Sequence, residues 1–104
     1  MKETEFVIQL ALVDRIREHH VRSRGRIVSF TVQYEIHWHG EWLPVVRYDT
    51  AHGFSHRDQY NVDGKVIKTP LLISDNNQAL TFAEFDLKAN WQVYRERFFK
   101  RFES

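Results

Sequence analysis

The sequence contains no cysteine, which excludes disulfide bonds, thiolate chemistry and zinc sites made of cysteine, and which fits a reducing compartment. No apolar run reaches the roughly 18 residues that a membrane-spanning helix needs. The N-terminal segment MKETEF has no signal-peptide cleavage pattern. Excess charge of one sign is also missing, because the formal net charge is only +1. Nucleic-acid binding would therefore need a local patch. We expect a soluble cytoplasmic protein without membrane contact.

The composition is that of a globular protein. At 104 residues, with 42% hydrophobic and 28% charged residues, the chain suffices for one hydrophobic core and is too short for two. We therefore predict a single domain over residues 1–104. Aromatic residues make up 14% of the chain, and such bulky side chains must fill a core or lie at an interface.

Most of the chain before residue 70 has the pattern of antiparallel strands. From Val28 onwards, the segment IVSFTVQYEIHWH alternates between apolar and polar residues, and Gly40 permits a tight turn into the return strand WLPVVRYD. A second hairpin is predicted for QYNVDGKVIKT, with a two-residue turn at Asp63-Gly64 that places Tyr60 opposite Ile67. EFVIQLALV, residues 5–13, predicts an N-terminal strand, with a short buried helix as the alternative. The arginine-rich segment that follows it is interpreted as a basic loop.

The last third of the chain predicts one long helix. Asp75 is a candidate N-cap with Gln78 three residues later. Apolar residues then recur at spacings of three and four, as in an amphipathic helix: Leu80, Ala83, Leu87, Trp91, Tyr94, Phe98 and Phe102. The predicted fold class is α+β. An antiparallel sheet of about five strands, made of two hairpins plus the N-terminal strand, packs against one long C-terminal helix.

The predicted helix also has apolar residues on its opposite side, namely Phe82, Phe85, Ala89 and Val93. A single sheet cannot bury both sides of a helix. The basic loop or the chain terminus could cover these residues, or they could form a contact with another protein molecule. We favour the contact, and we expect a homodimer through the C-terminal helix.

Polar chemistry is concentrated in RYDTAHGFSHRDQY, residues 47–60. Alternation along the strands places Arg47 with Asp49 on the polar sheet face. After a chain reversal that Gly53 permits, His56 and Asp58 share a face while Arg57 takes the other. The candidate site residues at this corner of the sheet are Arg47, Asp49, His52, His56, Arg57 and Asp58.

Three interpretations of the corner are open. The histidines and arginines suit metal-free RNA cleavage, because imidazole transfers protons near neutral pH and guanidinium stabilises a developing phosphorane. A metal could bind His52 and His56 with one of the aspartates, although an H-x3-H spacing is a ligand spacing on helices, which this segment does not resemble. Alternatively, the aspartates only neutralise Arg47 and Arg57 in a structural ion-pair corner. We expect neither a metal nor another cofactor.

The signature R-Y-D-x-A-H followed by a second histidine, at Arg47 to His52 and His56, resembles the TumE-type toxins of toxin–antitoxin pairs. The longer form RYDxAHGxxHRD, with the D-G turn and the ending WQVYRERF, is similar to small prokaryotic proteins of uncharacterised function. The resemblance to the toxins implies interference with RNA or translation. It also implies a protein antitoxin that binds a hydrophobic surface.

We therefore predict a toxin-like protein that acts on RNA with a metal-independent, ribonuclease-like site. His52 and His56 would be the acid and base, Arg47 and Arg57 would bind phosphate, and Asp49 or Asp58 would orient an imidazole. The alternative hypothesis is a non-catalytic interaction module of unknown function, in which the helix binds a partner and the corner is structural.

Overall fold

The computed structural model describes residues 1–100, except for the side chain of His52; Phe102, predicted to belong to the helix, lies outside this range. Six strands form one antiparallel sheet in chain order, and a helix follows them. Their bounds are β1 Lys2–Ala11, β2 Asp14–Ser23, β3 Arg26–Trp38, β4 Glu41–Asp49, β5 His56–Tyr60, β6 Val66–Pro70 and α1 Asn76–Phe99. The α+β class is confirmed, with six strands in place of about five.

The additional strand is β2, so the interpretation of this segment as a basic loop was wrong. It pairs with β1 on one side and with β3 on the other, as Arg15 does with Gln9 and Glu35. Its helix-facing positions include the buried polar residues Glu18 and His20, whose polarity hides the alternation expected of a strand. As a strand of the sheet, this segment does not cover the outer side of the helix.

The first predicted hairpin is confirmed. Trp38 pairs with Glu41, and the two turn residues His39 and Gly40 both have positive φ angles, of 51° and 83°. Positive φ at both positions is the conformation of a type I′ turn, one of the two favoured two-residue hairpin turns. Pro44 lies at the bulge of β4, where the register against β3 shifts, and a proline is tolerated there because it donates no ladder hydrogen bond.

The second hairpin forms, but its predicted register was wrong by one residue. Tyr60 pairs with Val66, and Ile67 pairs with Gln59. The Asn61 amide donates to the carbonyl of Lys65 at 3.0 Å, and the Asn61 side-chain oxygen accepts from the backbone amides of Asp63 and Lys65. This hydrogen bonding closes a three-residue loop, and a shift of one residue exchanges the two faces of a strand.

Helix α1 begins where the sequence predicts, since the Asp75 carboxylate accepts hydrogen bonds from the amides of Asn77 and Gln78. One side of the helix covers one face of the sheet with the apolar residues Ala79, Leu80, Ala83, Leu87, Tyr94 and Phe98. Within residues 1–100, no helix is both long enough and apolar enough to cross a membrane.

Polar contacts also fix the helix on the sheet. Tyr48 and Tyr94 both donate to the Asp86 carboxylate at 2.6 Å, and Arg57 donates to the Tyr94 hydroxyl at 3.3 Å. Farther along the sheet, Tyr34 donates to the Asp14 carboxylate at 2.6 Å. These buried hydrogen bonds satisfy the tyrosine hydroxyls that the core would otherwise leave without partners.

A carboxyl cluster lies at the same interface. Glu18 of β2 is 1% exposed, faces Glu84 of α1, and contacts the His20 ring nitrogen Nδ1 at 2.7 Å. Burial, together with the hydrogen bond to Glu84 and the repulsion from it, raises the pKa of Glu18 to about 8. Burial lowers the pKa of His20. The cluster therefore favours a protonated carboxyl beside a neutral imidazole.

The outer side of α1 is exposed among the described residues. Phe82 is 42% exposed, Phe85 71% and Val93 48%. Ala89 is exposed as well. We call these four residues the outer helix surface.

Candidate functional site

The site lies on the sheet face opposite the helix, which we call the open face. Pairing across the strands arranges its side chains in rows. One row runs from β2 to β6 through Arg17, Gln33, Arg47, Asp58 and Lys68, each paired with the next. The neighbouring row consists of His19, Thr31, Asp49 and His56, on β2 to β5. The sheet therefore places cations on alternate strands beside a histidine and two carboxylates.

His56 is the centre of the candidate site. Its Nε2 atom lies 3.1 Å from Asp49 Oδ1 and 3.8 Å from Asp58 Oδ2. All three residues are almost fully buried although they belong to the open face. Asp49 Oδ1 also accepts a hydrogen bond from the Ala51 amide at 3.0 Å, which ties the carboxylate to the short 3-10 helix Ala51–Gly53. The imidazole is thus held in one orientation by a carboxylate that the backbone itself fixes.

Two cations flank this group. Lys68 Nζ lies 3.3 Å from both carboxylate oxygens of Asp58, and its side chain is 65% exposed. Arg47 Nε lies 3.7 Å from Asp49 Oδ2. Two cations near two carboxylates balance the local charge, which removes much of the cost of burying the carboxylates.

A recess of about 290 Å³ borders His56. It is lined by Phe54, His56, Lys68 and Pro70. Phe54 stands edge-on to the His56 ring, with centroids 6.0 Å apart. The recess therefore combines an apolar wall, an imidazole and an ammonium group, which suits an anionic group attached to a less polar one.

The structure brings together four of the six residues predicted for the site: Arg47, Asp49, His56 and Asp58. Arg57 does not join them, because it lies on the helix side of the sheet and donates to Tyr94. The predicted acid/base side chain of His52 lies outside the described residues.

Sequence reasoning missed Lys68 as a site residue. The predicted register of the second hairpin pairs Asp58 with Thr69 and turns Lys68 towards the helix. The observed register pairs Asp58 with Lys68. The signal that could have identified it is Asn61, because an asparagine at the start of a loop accepts hydrogen bonds from amides two to four residues later and changes the loop length.

Asp49, His56 and Asp58 are also the residues that could hold a metal ion, since each offers a ligand atom and these atoms lie within 4.8 Å of one another. Two carboxylates and an imidazole suit manganese, iron or zinc. Because the Lys68 ammonium group already contacts both oxygens of Asp58, a cation bound there would have to displace it.

A second ion-pair group adjoins the site on the open face. Glu35 is 2% exposed and accepts hydrogen bonds from Arg15 Nε and the Gln33 amide, both at 2.6 Å. Arg17 Nε lies 3.5 Å from the same carboxylate. Arg15 also stacks on the Trp42 ring, 3.8 Å from its centroid. This group holds Arg15 and Arg17 of β2 in an ordered layer.

Comparison with known proteins gives one finding. A family model described as a domain of unknown function (DUF7718) matches residues 1–103, almost the entire chain. No curated protein and no solved structure matches it.

Proposed function

Since the chain belongs to the family of the domain of unknown function DUF7718, we propose a function from its site: the protein binds RNA on the open face and cleaves it without a metal ion. The observation that carries this proposal is the contact of 3.1 Å between His56 and Asp49 beside an accessible recess with two flanking cations. An imidazole oriented by a carboxylate is a recurrent acid/base unit in enzymes.

In the first step of the proposed reaction, the imidazole of His56 removes the proton of a ribose 2′-hydroxyl. The 2′-oxygen then forms a bond to the adjacent phosphorus atom. Asp49 has a positioning role, because its carboxylate stabilises the imidazolium that forms. Arg47 and Lys68 lie on either side and would stabilise the additional negative charge of the phosphorane.

In the second step, the bond from phosphorus to the 5′-oxygen breaks. The leaving oxygen must receive a proton, and the ammonium group of Lys68, which lines the recess, would donate it. The products are a 2′,3′-cyclic phosphate and a 5′-hydroxyl, so neither water nor an oxidant is consumed. Lys68 replaces Arg57 in the set of cations predicted from the sequence, because Arg57 faces the helix.

We expect the purified protein to cleave RNA in the presence of excess EDTA. Incubation with total RNA, followed by analysis of the fragment ends, should show 2′,3′-cyclic phosphates and 5′-hydroxyl groups. Intact RNA after incubation would contradict the enzymatic proposal. Cleavage that required added Mn²⁺ and stopped with EDTA would instead assign Asp49, His56 and Asp58 to metal binding.

The resemblance of Arg47 to His52 to the TumE-type signature supports a toxin-like role for this RNA cleavage. A toxin of this kind requires neutralisation by an antitoxin. In this proposal, the antitoxin is a protein that binds a hydrophobic surface of the toxin. The outer helix surface is exposed and apolar, so it is the proposed binding surface.

A second candidate function, that of an interaction module, is favoured by the outer helix surface itself. Phe85 is 71% exposed near the middle of this surface, and aromatic side chains of this kind dominate protein interfaces. In this candidate the protein forms a homodimer through α1, and the ion pairs of Asp49 and Asp58 are structural.

Sedimentation equilibrium, which measures the mass of the particle in solution, tests the homodimer. We expect twice the chain mass for the wild type and the monomer mass for Phe85→Asp, because a buried unpaired carboxylate prevents association. Leu72→Asp is the matched control, since Leu72 is 98% exposed and lies outside α1, and this variant should remain dimeric. A monomeric wild type would contradict the homodimer. The outer helix surface would then be proposed to bind a different protein.

A further inference from the structure

The open face contains a second depression, of about 160 Å³, next to the proposed cleavage site. It is lined by Glu5, Arg17, His19, Thr31, Gln33 and Arg47. Five of these six side chains carry hydrogen-bond donors, and two of them are permanently charged guanidinium groups. The volume suits a single small ionic group, and the donors suit an anion.

Arg47 connects this depression to the cleavage site. Its side chain lines the depression, and its Nε atom lies 3.7 Å from Asp49 of the site. This Nε–H group is buried, whereas the Arg47 side chain as a whole is 40% exposed. Arg47 can therefore contact a group bound in the depression while its Nε faces Asp49.

The negative charges around the depression are already engaged or lie at its rim. Glu35 is shared between Arg15 and Arg17, and Glu3 contacts His19 at 2.7 Å. Glu5 lines the depression as an exposed carboxylate. Removing the charge of Glu5 would therefore make the depression more favourable to an anion.

We propose that this depression binds a non-scissile phosphate group of the RNA strand that is cleaved at His56, an inference that rests on the proposed function. The centre of the depression is on β3 and His56 is on β5, and two strand spacings amount to roughly 10 Å. One phosphate cannot occupy both places. The RNA strand therefore crosses the sheet roughly perpendicular to β2–β5, with another phosphate of the same strand on Arg17 and Arg47.

The test measures RNA binding separately from cleavage. A short single-stranded RNA with 2′-O-methyl groups cannot form the attacking alkoxide, so fluorescence anisotropy reports its affinity alone. Relative to wild type, Arg17→Gln should bind about tenfold more weakly, and the slope of log affinity against log salt should decrease by about 1. Glu5→Gln should bind roughly twofold to threefold more tightly, because it removes a repulsive charge at the surface.

Cleavage kinetics and a control complete the test. With unmodified RNA, Arg17→Gln should raise KM and keep kcat, because Arg17 contacts no reacting atom. Arg97→Gln is the matched control: it removes an exposed arginine from α1, on the other side of the sheet, and should bind like wild type.

The outcomes separate this inference from the proposed function. Suppose that the wild type cleaves RNA and that Arg17→Gln and Glu5→Gln both bind RNA like the wild type. This result would overturn the phosphate site and leave the ribonuclease proposal intact. An absence of cleavage by the wild type would remove the proposed function itself. Tighter binding by Glu5→Gln supports the site independently of any effect that Arg17→Gln has on its ion pair with Glu35.

Discussion

Replacing His56 by glutamine is expected to lower the rate of RNA cleavage by roughly 10²- to 10⁴-fold, the usual contribution of a general acid or base. Glutamine keeps a polar side chain of similar length in contact with Asp49, but it cannot accept and release a proton at neutral pH. Asp49→Asn should also reduce the rate, because a carboxamide does not stabilise an imidazolium. Single-turnover cleavage of a fluorescent RNA measures both effects.

A histidine elsewhere on the open face supplies the control. His37 is exposed and lies edge-on to Trp42, 5.1 Å between ring centroids, away from the recess. We expect His37→Gln to cleave RNA at the wild-type rate. Equal activity of the His56 and His37 variants would refute the catalytic role of His56.

The same variants also test the structural alternative. If the corner only stabilises the fold, Asp49→Ala should lower the free energy of unfolding by roughly 2–5 kcal/mol, as the loss of one partner of a buried pair does. Under the catalytic proposal, Asp49→Asn should lose far more activity than stability. Chemical denaturation of each variant beside its rate constant distinguishes the two.

The stability of the protein is expected to fall as the pH rises towards 8, because of Glu18. Its pKa is about 8 in the folded protein, against 4.5 as its ordinary value. Since the folded state binds the proton more tightly, the stabilisation is fully present below pH 4.5 and is lost as the pH rises through 8. Because Glu18 is buried, the loss of this stabilisation is expected to be large enough to detect by denaturation.

His20 makes the stability depend on pH in the opposite direction, but only at lower pH. Burial lowers its pKa below 6.5, so its contribution is lost on acidification and no longer changes above pH 6.5. Urea denaturation between pH 6.5 and 9 therefore isolates Glu18. The free energy of unfolding should fall over this range in the wild type and much less in Glu18→Gln. Glu41→Gln, at an exposed position of β4, should behave like wild type. A wild-type protein that is equally stable at pH 6.5 and at pH 9 would exclude a protonated Glu18 carboxyl group.

Much of the fold could be predicted because local signals agree with the global structure. The alternation in β3, the turn at Gly40 and the cap at Asp75 are each determined within a few residues. Strand β2 could not be predicted in this way. Its helix-facing residues Glu18 and His20 are polar and depend on contacts with residues far away in the chain, such as Glu84.

The site was predictable to the extent that strand alternation determines it. Arg47 and Asp49 share a face by their spacing of two, as do His56 and Asp58, and the pairing of β4 with β5 brings the two pairs together. Lys68 depends on the register of the second hairpin, which the Asn61 side chain changes by one residue. Such a register is a property of loop hydrogen bonds and is not visible in the hydrophobic pattern.

Because the six strands follow one another in chain order, the sheet leaves β1 and β6 at its two edges. An unpaired edge invites strands of other molecules and is a common origin of aggregation. Both edges are protected by composition: β1 begins with Lys2, Glu3 and Glu5, and β6 contains Lys68 and ends at Pro70. Lys68 would therefore have two tasks, contact with the substrate and protection of the edge. Its replacement by a β-branched residue should make the protein self-associate even where the fold is retained.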